Sequence, residues 1–154
     1  MDEKEMTPGL AAGDLTTNTL KAARQGLLRV HRLLLEMERV ELERERGRLT
    51  PNEYLQAVLN DPAFEWLRPA SQLIVQIDEA LDSAERESSP VAGAVTASLL
   101  AQVRGLLTPV PPTTTFAARY LQMLQRHPDV VFAHRDLMAE LPKGFLGPMP
   151  TMTA

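Results

Sequence analysis

Leu20, Ala23, Leu27, Val30, Leu34 and Met37 recur at intervals of three and four residues, and this long apolar stripe constrains the fold more than any other feature. It predicts one helix from about Thr17 to Arg46. Leu33 and Val40 broaden the stripe on one edge, and Leu28, Leu35 and Leu42 on the other. One neighbour cannot cover so wide a stripe, so this helix is expected to be buried against several partners in a bundle. Thr16 or Thr17 is placed to cap its first amides, and Gly47 to end it. Beyond Met37 the chain turns strongly charged. Glu36, Glu41, Glu43 and Glu45 each precede an arginine by three residues, at Arg39, Arg44, Arg46 and Arg48. Each such pair contributes about 0.2–0.5 kcal/mol, and together they support an exposed helical end.

The remaining sequence is a run of helix starts and stops. In Thr50-Pro51-Asn52-Glu53, Thr50 is a cap, Pro51 a first helical residue and Glu53 the reciprocating third. A short helix extends from there to about Asn60, and Asp61-Pro62 repeats the pattern. Pro69 to Glu87 carries an apolar face of Ala70, Leu73, Ile74, Ile77, Leu81 and Ala84. Ser89-Pro90 reads as the start of a helix over Val91–Leu107. Its Ala92, Gly93, Ala94, Ala97, Ser98 and Ala101 suit either close approach of a partner helix or an exposed face. Thr108–Thr115 reads as a rigid connector. Two last helices are predicted over Phe116–Arg126 and Asp129–Glu140.

These patterns have helical periods and no βαβ alternation. The expected fold class is all-α, a compact helical bundle of about four principal helical segments with additional short corner helices. The first helix should pack against the Pro69–Glu87 and Val91–Leu107 helices, and the C-terminal pair should complete the core. Residues 1–15 read as a flexible arm, 16–141 as a single domain and 142–154 as a flexible tail in which Phe145 and Leu146 are able to fold back.

Composition narrows the function classes. With 16 basic and 20 acidic residues the formal net charge is -4, which disfavours a general nucleic-acid binder. Arg24, Arg29 and Arg32 form only a modest basic strip. The chain has no cysteine, which excludes disulfides, a thiol nucleophile and a thiolate zinc site within it. Aromatic residues make up 5%, so the core must be mostly aliphatic. No apolar run reaches the ~20 residues of a membrane span. The N-terminus lacks the pattern of a secretory signal, and the cytoplasm is the expected location.

The segment LNDPAFEWLRPAS holds the only tryptophan. Phe64 and Leu67 share a helical face while Trp66 points elsewhere. Pro69 restricts Arg68 and makes a corner there. The leading expectation is that Phe64 and Trp66 close one end of the core. Phe64, Trp66 and Arg68 are also the candidate contacts for a protein partner, and Arg68 is a candidate for a cation–π contact with Trp66. LNDPAFEWLRPASQLIVQIDEAL, preceded by HRLLLEMERVELERERG, resembles a family of short uncharacterised bacterial proteins, over Leu27 to Leu81 or about a third of the chain. The resemblance implies a bacterial source and a compact helical protein, and it carries no catalytic residues. Ala70 departs from a bulkier leucine in that pattern.

His31, Glu38 and Glu41 fall inside the apolar arc of the first helix. Histidines and carboxylates facing a bundle interior are able to hold iron, manganese or zinc. His31, Glu38, Asp78 and His134 are the candidate ligands, although paired Glu-x-x-His motifs are absent. Phosphate-loop and dinucleotide patterns are absent too. The preferred reading is a non-enzymatic protein-interaction or regulatory protein, with a protein partner or a homo-oligomer. The alternative is a metal-binding helical protein, an oxidoreductase in one form, using inward His and carboxylate residues.

Overall fold

In the computed structural model, residues 17–142 are described. They form six α-helices and one 3-10 helix, with no strand among the described residues: α1 Thr19–Arg46, α2 Pro51–Asn60, a 3-10 corner Pro62–Leu67, α3 Arg68–Arg86, α4 Gly93–Leu106, α5 Thr115–Arg126 and α6 Pro128–Glu140. The fold is all-α, as the periodicity requires. The expected N-terminal arm, the Thr16 cap, and Phe145 and Leu146 of the tail lie outside the described residues.

α1 is the axis of the bundle. It buries Leu20, Ala23, Leu27, Val30, Leu34, Glu38 and Leu42, and it packs against α3, α4 and most extensively α6. Gly26 permits the closest approach of α6. A Cβ built on it would stand 2.7 Å from Leu137 Cδ1 and 3.1 Å from Leu137 Cβ. Two cross-links flank this contact: Arg24 pairs with Asp78 of α3, and Arg29 with Asp136 of α6 at 2.8 Å. Two of the three arginines of the expected basic strip are therefore matched by carboxylates of the chain itself.

The charged end of α1 forms two of its four expected pairs, Glu36–Arg39 at 3.3 Å and Glu41–Arg44 at 2.9 Å. The other two give way to contacts that position the turn into α2 and the 3-10 corner. Glu43 lies 3.5 Å from Arg39 and accepts from the Leu49 amide at 3.0 Å. Arg46 reaches Asp61 at 2.7 Å. Gly47 ends the helix with φ 88, a conformation that favours glycine. Thr50 and Glu53 make the full reciprocal cap of α2, with bonds of 3.1 and 2.9 Å. Asp61 accepts from the Ala63 amide at 2.9 Å and starts the 3-10 corner. That corner runs directly into α3.

Two local expectations are corrected. Ser89 does not cap the fourth helix, which starts at Gly93. Val91 is drawn into the core at 5% exposure, and its amide donates to Thr17 Oγ1 at 3.2 Å. Thr17 is thereby used to anchor Val91 rather than to cap α1. The small residues Ala92, Gly93, Ala94, Ala97, Ser98 and Ala101 are all exposed, and α4 packs instead through Thr96, Leu99, Leu100 and Val103.

Candidate functional site

A carboxylate interrupts the buried stripe of α1. Glu38 occupies the position one turn past Leu34, where the sequence pattern continues through Met37, and it is 4% exposed. Burying an ionised carboxylate costs several kcal/mol unless its oxygens find donors. Two distant segments supply them. Trp66 Nε1 of the 3-10 corner donates to Glu38 Oε2 at 2.8 Å. Arg119 Nη2 of α5 donates to the same oxygen, also at 2.8 Å. Hydrogen bonds to an ionised group are short and stronger than neutral ones. The Arg119 guanidinium also lies 5.2 Å from the Trp66 ring centroid. The three side chains thus brace one another and join α1, the corner and α5.

An aromatic ladder continues from this point. Trp66 meets Phe116 at 5.4 Å between centroids, and Phe116 stacks on Tyr120 at 5.5 Å. The fully buried Tyr120 hydroxyl shares a 2.8 Å hydrogen bond with His134 Nδ1. Burial pushes the Tyr120 phenol well above its ordinary range and the His134 imidazole below its own. On the other side of the corner helix, Phe64 meets Tyr54 edge-on at 6.1 Å.

Beside Glu38 a groove of about 350 Å³ opens between two helix faces. From α1 it is lined by Met37, Val40, Glu41, Leu42, Arg44 and Glu45, and from α5 by Arg119, Gln122, Met123 and Arg126, with Ala63 and His127 at the edges. Positions three, four and seven apart share one helix face, so each helix contributes a wall about two turns long to the groove. Met37, Val40, Leu42 and Met123 give the groove apolar content, and Val40 is 43% exposed. Charges stand along the rest. Glu41 is paired with Arg44. Glu45 and Arg126 form no ion pair among the described residues.

The structure separates the residues singled out as metal candidates. His31 Nε2 lies 2.9 Å from Ser71 Oγ, Asp78 is engaged by Arg24, Glu38 by Trp66 and Arg119, and His134 by Tyr120. Among the described residues no group of three or more His, Cys, Asp or Glu is placed to hold a metal ion. Glu41, expected inside the apolar arc, is exposed. Phe64 and Trp66 are 4% and 7% exposed, so they close the core and present no aromatic patch. Arg68 is exposed, and it is Arg119 rather than Arg68 that covers Trp66. Arg119 and Met123 carried no sequence signal. Only the packing pattern of Tyr120, Leu121 and Leu124 marked their helix.

No protein-family model, curated protein or solved structure matches the chain. No helix among the described residues is long and apolar enough to cross a membrane.

Proposed function

We propose that this protein is an interaction module that receives an amphipathic helix of a partner protein in the groove between α1 and α5. The observation that carries the reading is the pair of helix walls, with Met37, Val40 and Met123 between charged edges. A helix laid in such a groove buries side chains spaced three, four and seven apart. The volume of about 350 Å³ suits two or three of them. Glu45 and Arg126 favour a partner that carries a basic residue toward one and an acidic residue toward the other, since complementary charge fixes register more than it adds affinity. The buried Glu38 serves this role by holding the walls at a fixed separation. A bacterial source, implied by the Leu27–Leu81 resemblance, and a cytoplasmic compartment complete the proposal.

The test is site-specific photo-crosslinking in cells, with a benzophenone side chain at Val40 or at Gln122 and a control at Glu79 on α3. The reading expects one discrete protein adduct from both groove positions and none from the control. It also expects that, with that partner purified, Val40→Glu weakens binding at least tenfold while the Tm stays within a few degrees. No adduct from either groove position, or equal adducts from all three, overturns it.

A further inference from the structure

A second cleft, of about 220 Å³, lies between α1, α2, the corner and α3. His31 and Ser71 meet in it. Their Nε2–Oγ separation of 2.9 Å falls within the range at which a general base activates a hydroxyl nucleophile. They are held by facing helices whose packing is fixed on either side by the Arg24–Asp78 pair and by the buried Leu34 and Ile74. Burial holds the imidazole below its ordinary pKa, and in the tautomer with its proton on Nδ1 the Nε2 lone pair accepts from the Ser71 hydroxyl. The Ser71 hydroxyl has one other acceptor, the Leu67 carbonyl, at a longer 3.4 Å.

Of the other polar groups of the cleft, Glu65 is exposed at its rim and two are occupied. Asp61 is occupied by Arg46 and the Ala63 amide, and the Asn60 amide donates to Gln56. Arg68 lines the same cleft, is exposed, and forms no ion pair among the described residues. Its guanidinium is the cation available to a developing oxyanion. Leu35, Val58, Leu59, Phe64 and Leu67 make the apolar part of the lining.

We infer that His31 and Ser71 form a base–nucleophile dyad that hydrolyses esters of short apolar acyl chains. Ser71 Oγ adds to the ester carbonyl carbon while its proton passes to His31 Nε2, and the carbonyl π pair moves to oxygen beside Arg68. Collapse re-forms the carbonyl and breaks the bond to the leaving oxygen, which takes the proton from His31 and departs as the alcohol. Water then adds to the Ser71 ester, giving a proton to His31. His31 returns it to Oγ as the carboxylic acid leaves. The balance is ester and water to acid and alcohol, with no other reactant. This activity is independent of the groove between α1 and α5.

The test uses the full chain. Folded protein is treated with an alkyl fluorophosphonate, and the modified residue is located by peptide mass spectrometry. Release of p-nitrophenolate from p-nitrophenyl butyrate is followed for wild type, Ser71→Ala and His31→Gln. The dyad requires an adduct on Ser71 that urea-unfolded protein does not form. It also requires a fall in turnover of about 100-fold in each variant, the scale of a lost general base. No adduct on Ser71, including the case where only other residues react, overturns the inference without reference to any variant. Unchanged turnover in Ser71→Ala overturns it as well.

Discussion

The Glu38 carboxylate and the Trp66 indole nitrogen stand 2.8 Å apart across the buried junction of α1 and the 3-10 corner. Neither group has a reason to be inside a helical bundle without the other. An indole N–H left without an acceptor in the core costs about 1–3 kcal/mol, and a carboxylate costs more. Arg119 completes the set from the solvent side, with 41% of its side chain exposed against 5% for Glu38.

Breaking this set from the inside is expected to be costly. Glu38→Ala leaves a buried indole and a guanidinium without their acceptor. Losing one partner of a buried pair costs about 3–5 kcal/mol. Arg119 is able to rehydrate, so we expect a loss nearer ~2–3 kcal/mol in urea unfolding. Glu38→Gln keeps an acceptor for Trp66 and should lose only about 1 kcal/mol. The double change Glu38→Met with Arg119→Met removes both charges and should recover most of the single loss. A loss under about 0.5 kcal/mol for Glu38→Ala would show that the carboxylate bears no structural weight.

Gly26 is expected to tolerate no larger side chain. Its Cβ position already lies within 3.1 Å of Leu137 Cβ, a fully buried residue of α6. Gly26→Val should destabilise by about 1–3 kcal/mol through overpacking, despite the better helix propensity of valine. A rise in the urea midpoint would mean that α6 moves away freely.

Thr50→Ala removes the hydroxyl that accepts from Glu53 N at 3.1 Å. The expected loss is ~1 kcal/mol, measured by urea unfolding. Thr50→Ser should restore most of it, and equal stability of the alanine and serine variants would contradict the cap.

The histidines give a pH dependence of defined sign. Burial lowers the pKa of His31 and His134 from an ordinary 6.5. The unfolded chain therefore binds protons first as pH falls. Their contribution is intact above about pH 6.5 and is lost as pH drops through the folded-state values. Asp61 and Glu43, held low first by hydrogen bonds from the Ala63 and Leu49 amides, act in a more acidic window, below the ordinary carboxylate range. The urea midpoint should fall between about pH 7.5 and pH 5.5, and the fall should shrink when both histidines are replaced by glutamine. A slope unchanged by those replacements would assign it to other groups.

The α1 stripe, the Thr50–Glu53 cap and the Asp61-Pro62 start are legible in the sequence because each is local. The period of the apolar residues and the order of cap, proline and glutamate need no distant partner. The site was legible only in part. The inward direction of Glu38 could be read from its place in the apolar arc. Its donors could not, because Trp66 and Arg119 lie 28 and 81 residues away along the chain and reach it only through the packing of the corner and α5. The same limit applies to Ser89, whose cap pattern is overridden when Val91 enters the core and takes Thr17 as its acceptor.

The most direct test of the junction that holds the groove is the indole N–H resonance of Trp66, which a single tryptophan makes unambiguous. In ¹⁵N-labelled protein we expect this proton to exchange with solvent at least ~100-fold more slowly than in a free indole. Glu38→Gln should shift it and Glu38→Ala should abolish its protection. A resonance that exchanges freely and is unmoved by either change would contradict a carboxylate bonded to Trp66 at the centre of this fold.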